Sequence, residues 1–431
     1  MKHLPLTALT LLATALTCGA QTWSYSDCVD YARTHNITLQ KALLSEQTAN
    51  INLDEAEGQW EPTLDFATTH AFTNYPWGEG TKNGYNSSYG LNAGWTVWNG
   101  GQRENTIRRN KILTEVQKLN TGHIMRTLET DLLQVYINIL YAKESIGIYE
   151  EAARLSAAQA ERAKALMEAG RASRVDYAQL RSQAEQDAYA LVNARGLYDT
   201  RRMELKKLLE LGIDSSLELL PVEWTPEQVL ASLPPMDESY NLALSTDLRL
   251  RQLELQKESA DADIAIARAG RMPRISLSAG VGTGYSAPGR AFGTSLKQSW
   301  NESIGLTFVL PILDAKKTRS DVARARVQKL DADLDIDLRH TELAQLVENW
   351  YIDTRSAQSQ YEAAREQLNA AILTADLTEE QFKLGLVNPV ELMTAHNTLT
   401  QARCTALQTK YMAMLGQKMI EFYRNATVVL P

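Results

Sequence analysis

The 431 residues carry 52 acids against 44 lysines and arginines, a formal net charge of −8 at pH 7, which argues against nucleic acid or any other polyanion as a partner. Only Cys28 and Cys404 lie beyond the first twenty residues, too few for a disulfide scaffold and without metal or redox spacing. After the N-terminus no apolar run approaches the ~20 residues of a membrane helix. A β-barrel stays open, because alternating strands of ~10 residues average out to a mean hydropathy as low as −0.30.

Residues 1–20 hold Lys2, an apolar run from Leu4 to Leu16, then Cys18, Gly19 and Ala20. This reads as a secretory leader cut after Ala20. Acylation of Cys18 is the rival, for which Ala15, Leu16 and Thr17 match poorly. Cleavage removes Lys2 and no acid, leaving −9.

The mature chain reads as one unit written twice. Ala56–Leu64, with Pro62, matches Ala267–Ile275, with Pro273, at an offset of 211. Gly170 followed by Val175 and Asp176 matches Gly385 followed by Val390 and Glu391 at an offset of 215. Two landmarks in one order indicate duplication. The first repeat, 21–211, is expected to hold a helix from about Ser26 to Gly58, strands at about 63–74 and 88–98, a very long helix at about 102–169 and a shorter one from Arg174. A linker at 212–238, with Pro221, Pro226, Pro234 and Pro235, reads as a small belt around the middle of a helical tube. The second repeat, 239–425, is expected to hold strands at about 274–285 and 299–310, a long helix at about 316–384 and a shorter one from Val390, before a tail at 426–431.

The strands alternate, most plainly Ile275, Leu277, Ala279 and Val281 against Ser276, Ser278, Gly280 and Gly282; the stretch 63–74 alternates least. A soluble sandwich alternates too. The Gly and Ser composition of the polar face, the pairing of strands between very long helices, and Trp60, Trp95, Trp98 and Trp300 near strand ends favour a membrane barrel with an interfacial girdle. Each long helix would span about 100 Å. Both carry a heptad stripe in one register, Leu128, Leu132, Val135, Ile139, Ala142, Ile146, Tyr149 and Ala153 in the first, Ala357, Tyr361, Ala364, Leu368, Ala371, Ala375, Thr378 and Phe382 in the second. Four strands cannot close in lipid, so membrane strands force oligomerisation; two chains would supply eight strands and three would supply twelve.

The duplicated half, the helix ends before Pro62 and Pro273, the strand exit Val97, Trp98, Asn99, Gly100, Gly101 and the Gly170 and Gly385 motifs together resemble the TolC-like outer membrane efflux protein family over nearly the whole mature chain. The second exit departs, with Ile312, Leu313, Asp314, Ala315 and Lys316, and suggests a less tight turn there. The resemblance implies an α+β membrane protein, a homotrimer with a 12-stranded transmembrane β-barrel continued by a 12-helix periplasmic α-barrel. It also implies an outer-membrane location in a Gram-negative bacterium, no cofactor, and a closed tip opened by a periplasmic adaptor (membrane fusion) protein with an inner-membrane efflux pump or ABC transporter. The function implied is passive export of small molecules or proteins, by efflux or type I secretion. In the family an acid six residues after the second tip glycine lines the constriction, and Glu391 stands there. Thr394 replaces a second acid, and Val387 replaces an arginine that latches the tip in some members.

Three copies of Glu391 would form a negative ring favouring cations; the plainer reading is a helix-start acid following Asn388 and Pro389. Asp176 faces the same choice. Asp331, Asp333, Asp335 and Asp337 alternate as in a calcium loop, but Ile336 stands where the turn glycine belongs, which favours a solvated helix face. The mature histidines show no metal spacing, and no nucleophile elbow, phosphate loop or zincin motif occurs, so catalysis has no support. The rival to a duct is a periplasmic coiled-coil adaptor or tether; a general uptake porin lacks helices of this length.

Overall fold

The computed structural model describes residues 22–74, 76–77, 83–286 and 291–430. The expected leader, with Cys18, and the last residue of the expected tail lie outside the described residues. The first half runs β1 (Thr22–Trp23), α1 (Tyr25–His35), α2 (Ile37–Gly58), β2 (Thr63–Asn74), β3 (Asn83–Trp98), α3 (Gln102–Glu168) and α4 (Arg174–Leu208). Then come β4 (Glu218–Leu219) and α5 (Pro226–Val229). The second half runs α6 (Met236–Thr246), α7 (Leu248–Ala269), β5 (Arg274–Tyr285), α8 (Phe292–Gln298), β6 (Asn301–Val309), α9 (Lys317–Lys383) and α10 (Pro389–Asn425). The pairs α1/α6, α2/α7 and β2/β5 are 211 residues apart at both ends, and α3/α9 are 215 apart at both ends.

Several boundaries differ from the sequence reading for identifiable reasons. The single leading helix of each half is two helices. Asn36 stops α1 with an extended ψ of 121°, and its side-chain amide donates to Leu208 O at 3.0 Å. Asp247 breaks the second half by capping Leu250 N and pairing with Arg339 at 2.7 Å. α6 starts inside the stretch read as linker. β3 begins at Asn83 rather than near 88, because β2 pairs with it as far as Asn74 opposite Asn83; a completed ladder overrides the poor strand propensity of Asn and Gly. β2, the least regular by pattern, is a full strand. β6 covers only 301–309, ending before Pro311, which has no N–H to donate.

The chain divides into two compact units. One comprises residues 38–125 and 243–346. It holds a four-stranded sheet in the order β2-β3-β5-β6, antiparallel throughout. Beside it, Thr114 and Thr121 of α3 donate to Ala49 O and Ala42 O of α2. Arg109 of α3 pairs with Asp263 of α7 at 3.2 Å. A Cβ on Gly122 would come 2.9 Å from Leu248 Cδ1, so α3 needs glycine there to approach α7. Asp331, Asp333, Asp335 and Asp337 lie within about two turns of α9, with Asp333 paired to Lys257. Among the described residues no three His, Cys, Asp or Glu are grouped to hold a metal ion.

The other unit comprises, among the described residues, 22–37, 126–242 and 347–430. Leu132, Leu133, Tyr136, Ile137, Ile139 and Leu140 of α3 are buried there, each large side chain contributing about 1.5–3 kcal/mol. The linker is ordered against this core. β4 pairs in parallel with β1, Tyr136 OH donates to Leu220 O at 3.0 Å, and Gln417 of α10 donates to Val229 O at 2.7 Å. Trp224 is buried edge-on to Tyr411 at 5.4 Å. A Cβ on Gly416 would overlap Thr354, so α10 lies directly on α9. Every residue of both heptad stripes is buried or half-buried. No helix among the described residues is long and apolar enough to cross a membrane.

Candidate functional site: the two-faced sheet and the helix tips

The register sorts the sheet into two unlike faces. Leu64, Phe66 and Phe72 of β2 lie opposite Ala93, Leu91 and Tyr85 of β3. Leu91, Ala93 and Trp95 lie opposite Val281, Ala279 and Leu277 of β5. Leu277, Ala279 and Ile275 lie opposite Leu306, Ile304 and Phe308 of β6. All these share one face, since side chains alternate with period two. The other face carries Asp65, Thr69, Ser88, Gly90, Asn92, Ser276, Gly280, Gly282, Ser303 and Thr307. The apolar face is open, with Phe66 at 69% and Leu306 at 71% exposure. Among the described residues no second sheet packs on it, as a soluble sandwich would require, and α8 touches it at the hairpin end, where Thr283 Oγ1 donates to Leu296 O.

Aromatic side chains mark both ends of this face. At the helix end Trp95 Nε1 donates to Trp60 O at 2.9 Å, and the Arg103 guanidinium lies 3.3 Å over the Trp60 ring. At the hairpin end Tyr85 stands 6.1 Å from Tyr285, and Tyr285 5.6 Å from Phe292 of α8. Twelve-residue strands such as β2 and β5 exceed the ~9–11 residues that span a bilayer.

The exits from strand to helix are alike in backbone and unlike in sequence. Gly100 and Gly101 have φ of 72° and 83°; Ala315 and Lys316, with φ of 49° and 68°, adopt the same left-handed pair. The expectation of a looser second turn is therefore incorrect. The chain holds the tight turn with two residues that carry a Cβ, at a cost of roughly 1–2 kcal/mol each.

At the other ends of α3 and α9, Gly170 and Gly385 have φ of 72° and 76°. Arg171 N and Leu386 N reach back to Leu166 O at 2.8 Å and Gln381 O at 2.9 Å, closing each helix with a Schellman pair. Three residues on, the next helix is capped. Ser173 Oγ accepts from Asp176 N at 2.9 Å, and Asp176 accepts from Ser173 N at 3.3 Å. Asn388 Oδ1 accepts from Glu391 N at 3.0 Å, and Asn388 Nδ2 donates to Glu391 Oε1 at 2.7 Å. Both acids thus serve the helix start; Glu391 is exposed and Asp176 half-buried. Thr394 is also exposed, its hydroxyl donating to Val390 O at 2.8 Å. Asp176 and Glu391 belong to separate tips, and no hydrogen bond or ion pair joins them.

Sequence reasoning missed the surroundings of Glu391. Thr374, Thr378 and Gln381 of α9 face Glu391, Thr394 and Thr398 of α10 across a groove of about 590 Å³, with Val387 at its end. The threonines four residues apart on both helices were the available signal. Also missed was His396, in a polar pocket of about 120 Å³. Gln159 of α3 stands 3.2 Å from its Nε2, and beside it Gln183 of α4 and Asn397 of α10 hydrogen-bond reciprocally at 2.9 and 3.1 Å. Burial lowers the His396 pKa, opposed by Glu379, Asp187 and Asp376 and reinforced by Arg403.

The family model described as outer membrane efflux protein matches residues 28–210 and 239–414, one stretch in each half. The chain is 22% identical to outer membrane protein TolC of Escherichia coli (strain K12), over 90% of this chain and 79% of that protein. It is 20% identical to outer membrane efflux protein BepC of Brucella suis biovar 1 (strain 1330), over 87% of this chain and 76% of that protein. The solved structure of the Campylobacter jejuni CmeC outer membrane channel superposes with a TM-score of 0.75 at 17% identity, covering 93% of this chain and 85% of that one.

Proposed function

This chain belongs to the outer membrane efflux protein family, and from that premise we propose that three copies form one passive export conduit. The outer membrane of a Gram-negative bacterium is its location, with the helices in the periplasm, and it is the outer-membrane channel of an efflux system. Three four-stranded sheets would close into a 12-stranded barrel, apolar face to lipid and Gly/Ser face to the lumen, continued by a 12-helix periplasmic barrel. A periplasmic adaptor and an inner-membrane efflux pump or ABC transporter would supply the energy and most of the substrate choice.

The observation that carries this reading is the open sheet. Its apolar face is largely exposed and its edges, β2 and β6, have no partner strand among the described residues. An unpaired edge cannot stand in hydrocarbon, and three copies of four strands make a barrel wide enough to conduct. The apolar sheet also disfavours a periplasmic tether, which would bury such a face. Native mass in mild detergent tests the proposal. A protein mass near three times that of the mature chain supports it, and a monomer that needs no detergent rejects it.

In such a trimer the tips of α9 and α10 would surround the axis, and three Glu391 side chains would form the constriction, with Asp176, Thr394 and the turns at Gly170 and Gly385 around them. Glu391→Ala should lower the cation selectivity of the purified channel in a planar bilayer; unchanged ion selectivity rejects the ring.

A further inference from the structure

Two helical hairpins run to the tips, α3/α4 of the first half and α9/α10 of the second, and a short series of polar contacts fastens one to the other. From the ordered linker towards the tips, Tyr411 OH donates to Glu144 at 2.5 Å and Arg403 pairs with Glu151 at 2.6 Å. Gln183 and Asn397 then exchange their two hydrogen bonds, and Gln159 Nε2 donates to His396 Nε2 at 3.2 Å. Nearer the tips no hydrogen bond or ion pair among the described residues crosses between the hairpins; Met393 of α10 packs there against Ala160, Ala163 and Leu180. His396 therefore belongs to the last polar fastening before the tips, and it follows Glu391 by five residues on α10, a rise of about 7.5 Å.

The neutral imidazole fits this place and its cation does not. An amide nitrogen can only donate, so ring Nε2 is the acceptor and the ring proton sits on Nδ1. A second proton would set donor against donor, and Gln159 would have to turn its amide over. The charged groups around the ring are Glu151 of α3, Asp187 of α4, Asp376 and Glu379 of α9 and Arg403 of α10 itself. Three of the four acids are already engaged, Glu151 with Arg403, Asp187 with Gln183 at 2.9 Å and Glu379 with Lys383 at 2.8 Å. Among the described residues no carboxylate forms an ion pair with the ring, which is half-buried in its pocket.

Resting on the reading of the α9/α10 tips as the constriction, we propose that His396 is a proton switch: uptake of one proton per chain in mild acid releases α9/α10 from α3/α4 and opens the tip. The sign follows from linkage. Separating the hairpins hydrates the imidazole, which then binds its proton near pH 6.5, whereas burial makes the packed arrangement hold that proton less tightly. The packed arrangement keeps its full advantage above about pH 6.5 and loses it as pH falls below. Protonation of three Glu391 carboxylates acts in the opposite sense, because it removes repulsion between the copies and favours a closed ring. Opening by acid is thus a signature of the histidine and not of the acids.

Two readouts on the full-length protein at pH 7.5 and 5.5 test the switch. One is the open fraction of single channels in a planar bilayer. The other is the distance between nitroxides on Arg171→Cys and Leu386→Cys, with Cys28→Ala and Cys404→Ala and with labelled chains diluted in unlabelled ones. Acid should raise the open fraction at least about threefold and lengthen the distance. His396→Gln should hold both at their neutral values, while Glu391→Gln should leave both responses in place. A short methanethiosulfonate bridge between Gln183→Cys and Asn397→Cys should suppress the opening, and reduction of the bridge should restore it, which shows that the bridged chain is folded. An acid response that persists in His396→Gln or under the bridge, or a tip distance equal at the two pH values, overturns the switch. A monomeric native mass rejects the three-copy reading instead, and the nitroxide distance then still decides the switch within one chain.

Discussion

The two exits from strand to helix share one backbone path and one cap, but are held by different chemistry. In the first, Asn99 Oδ1 accepts from Arg103 N at 3.2 Å; in the second, Asp314 Oδ2 accepts from Thr318 N at 2.9 Å. Beneath the first turn Arg103, 1% exposed, donates to Gln59 O, Thr96 O and Val97 O at 3.1, 2.7 and 3.2 Å while stacking on Trp60. Beneath the second, buried Thr318 stands in the place of Arg103, and Ile312 and Leu313 are 93% exposed. A duplicated unit can change its fastenings where its neighbours differ. The first exit is pinned by a buried arginine, and the second is held by the Asp314 cap.

The largest effect should come from removing the internal pin. Arg103→Ala leaves three backbone carbonyls without their donor and strips the Trp60 stack, a loss of roughly 3 kcal/mol or more. Thr318→Ala should cost about 1 kcal/mol. Thermal unfolding of the two purified variants compares them, and equal losses would show that the exits are fastened alike. Gly100→Ala follows, at about 2–4 kcal/mol, because a Cβ there collides with Met272 and φ is +72°. A variant with wild-type thermal stability would mean that α7 can move away from this turn.

How much of this was legible depends on the range of the interaction. The long helices, the repeat and the Gly170 and Gly385 turns followed from heptads and landmarks, which are local signals. The breaks at Asn36 and Asp247 did not, because their strength lies in remote partners, Leu208 O and Arg339. β3 was cut short because Asn83–Ser87 gains strand character only from the ladder to β2. At the tip the sequence supplied Glu391 and its alternative role as a cap partner, and the geometry shows the cap. The groove threonines and His396 were not singled out, since each has an ordinary helical spacing and only the packing of neighbouring helices brings them together.

The tips extend the contrast between halves to pH. His396 has as its first-half counterpart Arg181, which is exposed and stays charged throughout the accessible range. Burial holds the folded His396 pKa below its ordinary value, against Glu379, Asp187 and Asp376 and with Arg403. The unfolded segment therefore binds a proton near pH 6.5 that the folded segment takes up only at lower pH. The contribution to stability is complete above that range and is lost as pH falls through it. Protonation also removes the acceptor that Nε2 offers Gln159. After correction for the pH dependence of intrinsic exchange, amide protection across 389–400 should fall between pH 7.5 and 5.5 more than across 174–185, and His396→Gln should abolish the difference. An equal response in both tips would assign the effect to the acids instead.

The smallest effect has the opposite sign. Ala315 pays the left-handed penalty that Gly100 avoids, yet no close neighbour forbids relief, because Ala315 is exposed within the chain. Ala315→Gly should stabilise the isolated fold by about 0.5–1 kcal/mol, the relief of φ strain less the greater freedom glycine gives the unfolded chain. A chain that gains intrinsic stability while its trimer dissociates at a lower temperature would show the strained alanine serving assembly. If both rise together, the second exit is a weaker version of the first, and the difference between the halves there is drift rather than adaptation to a neighbour.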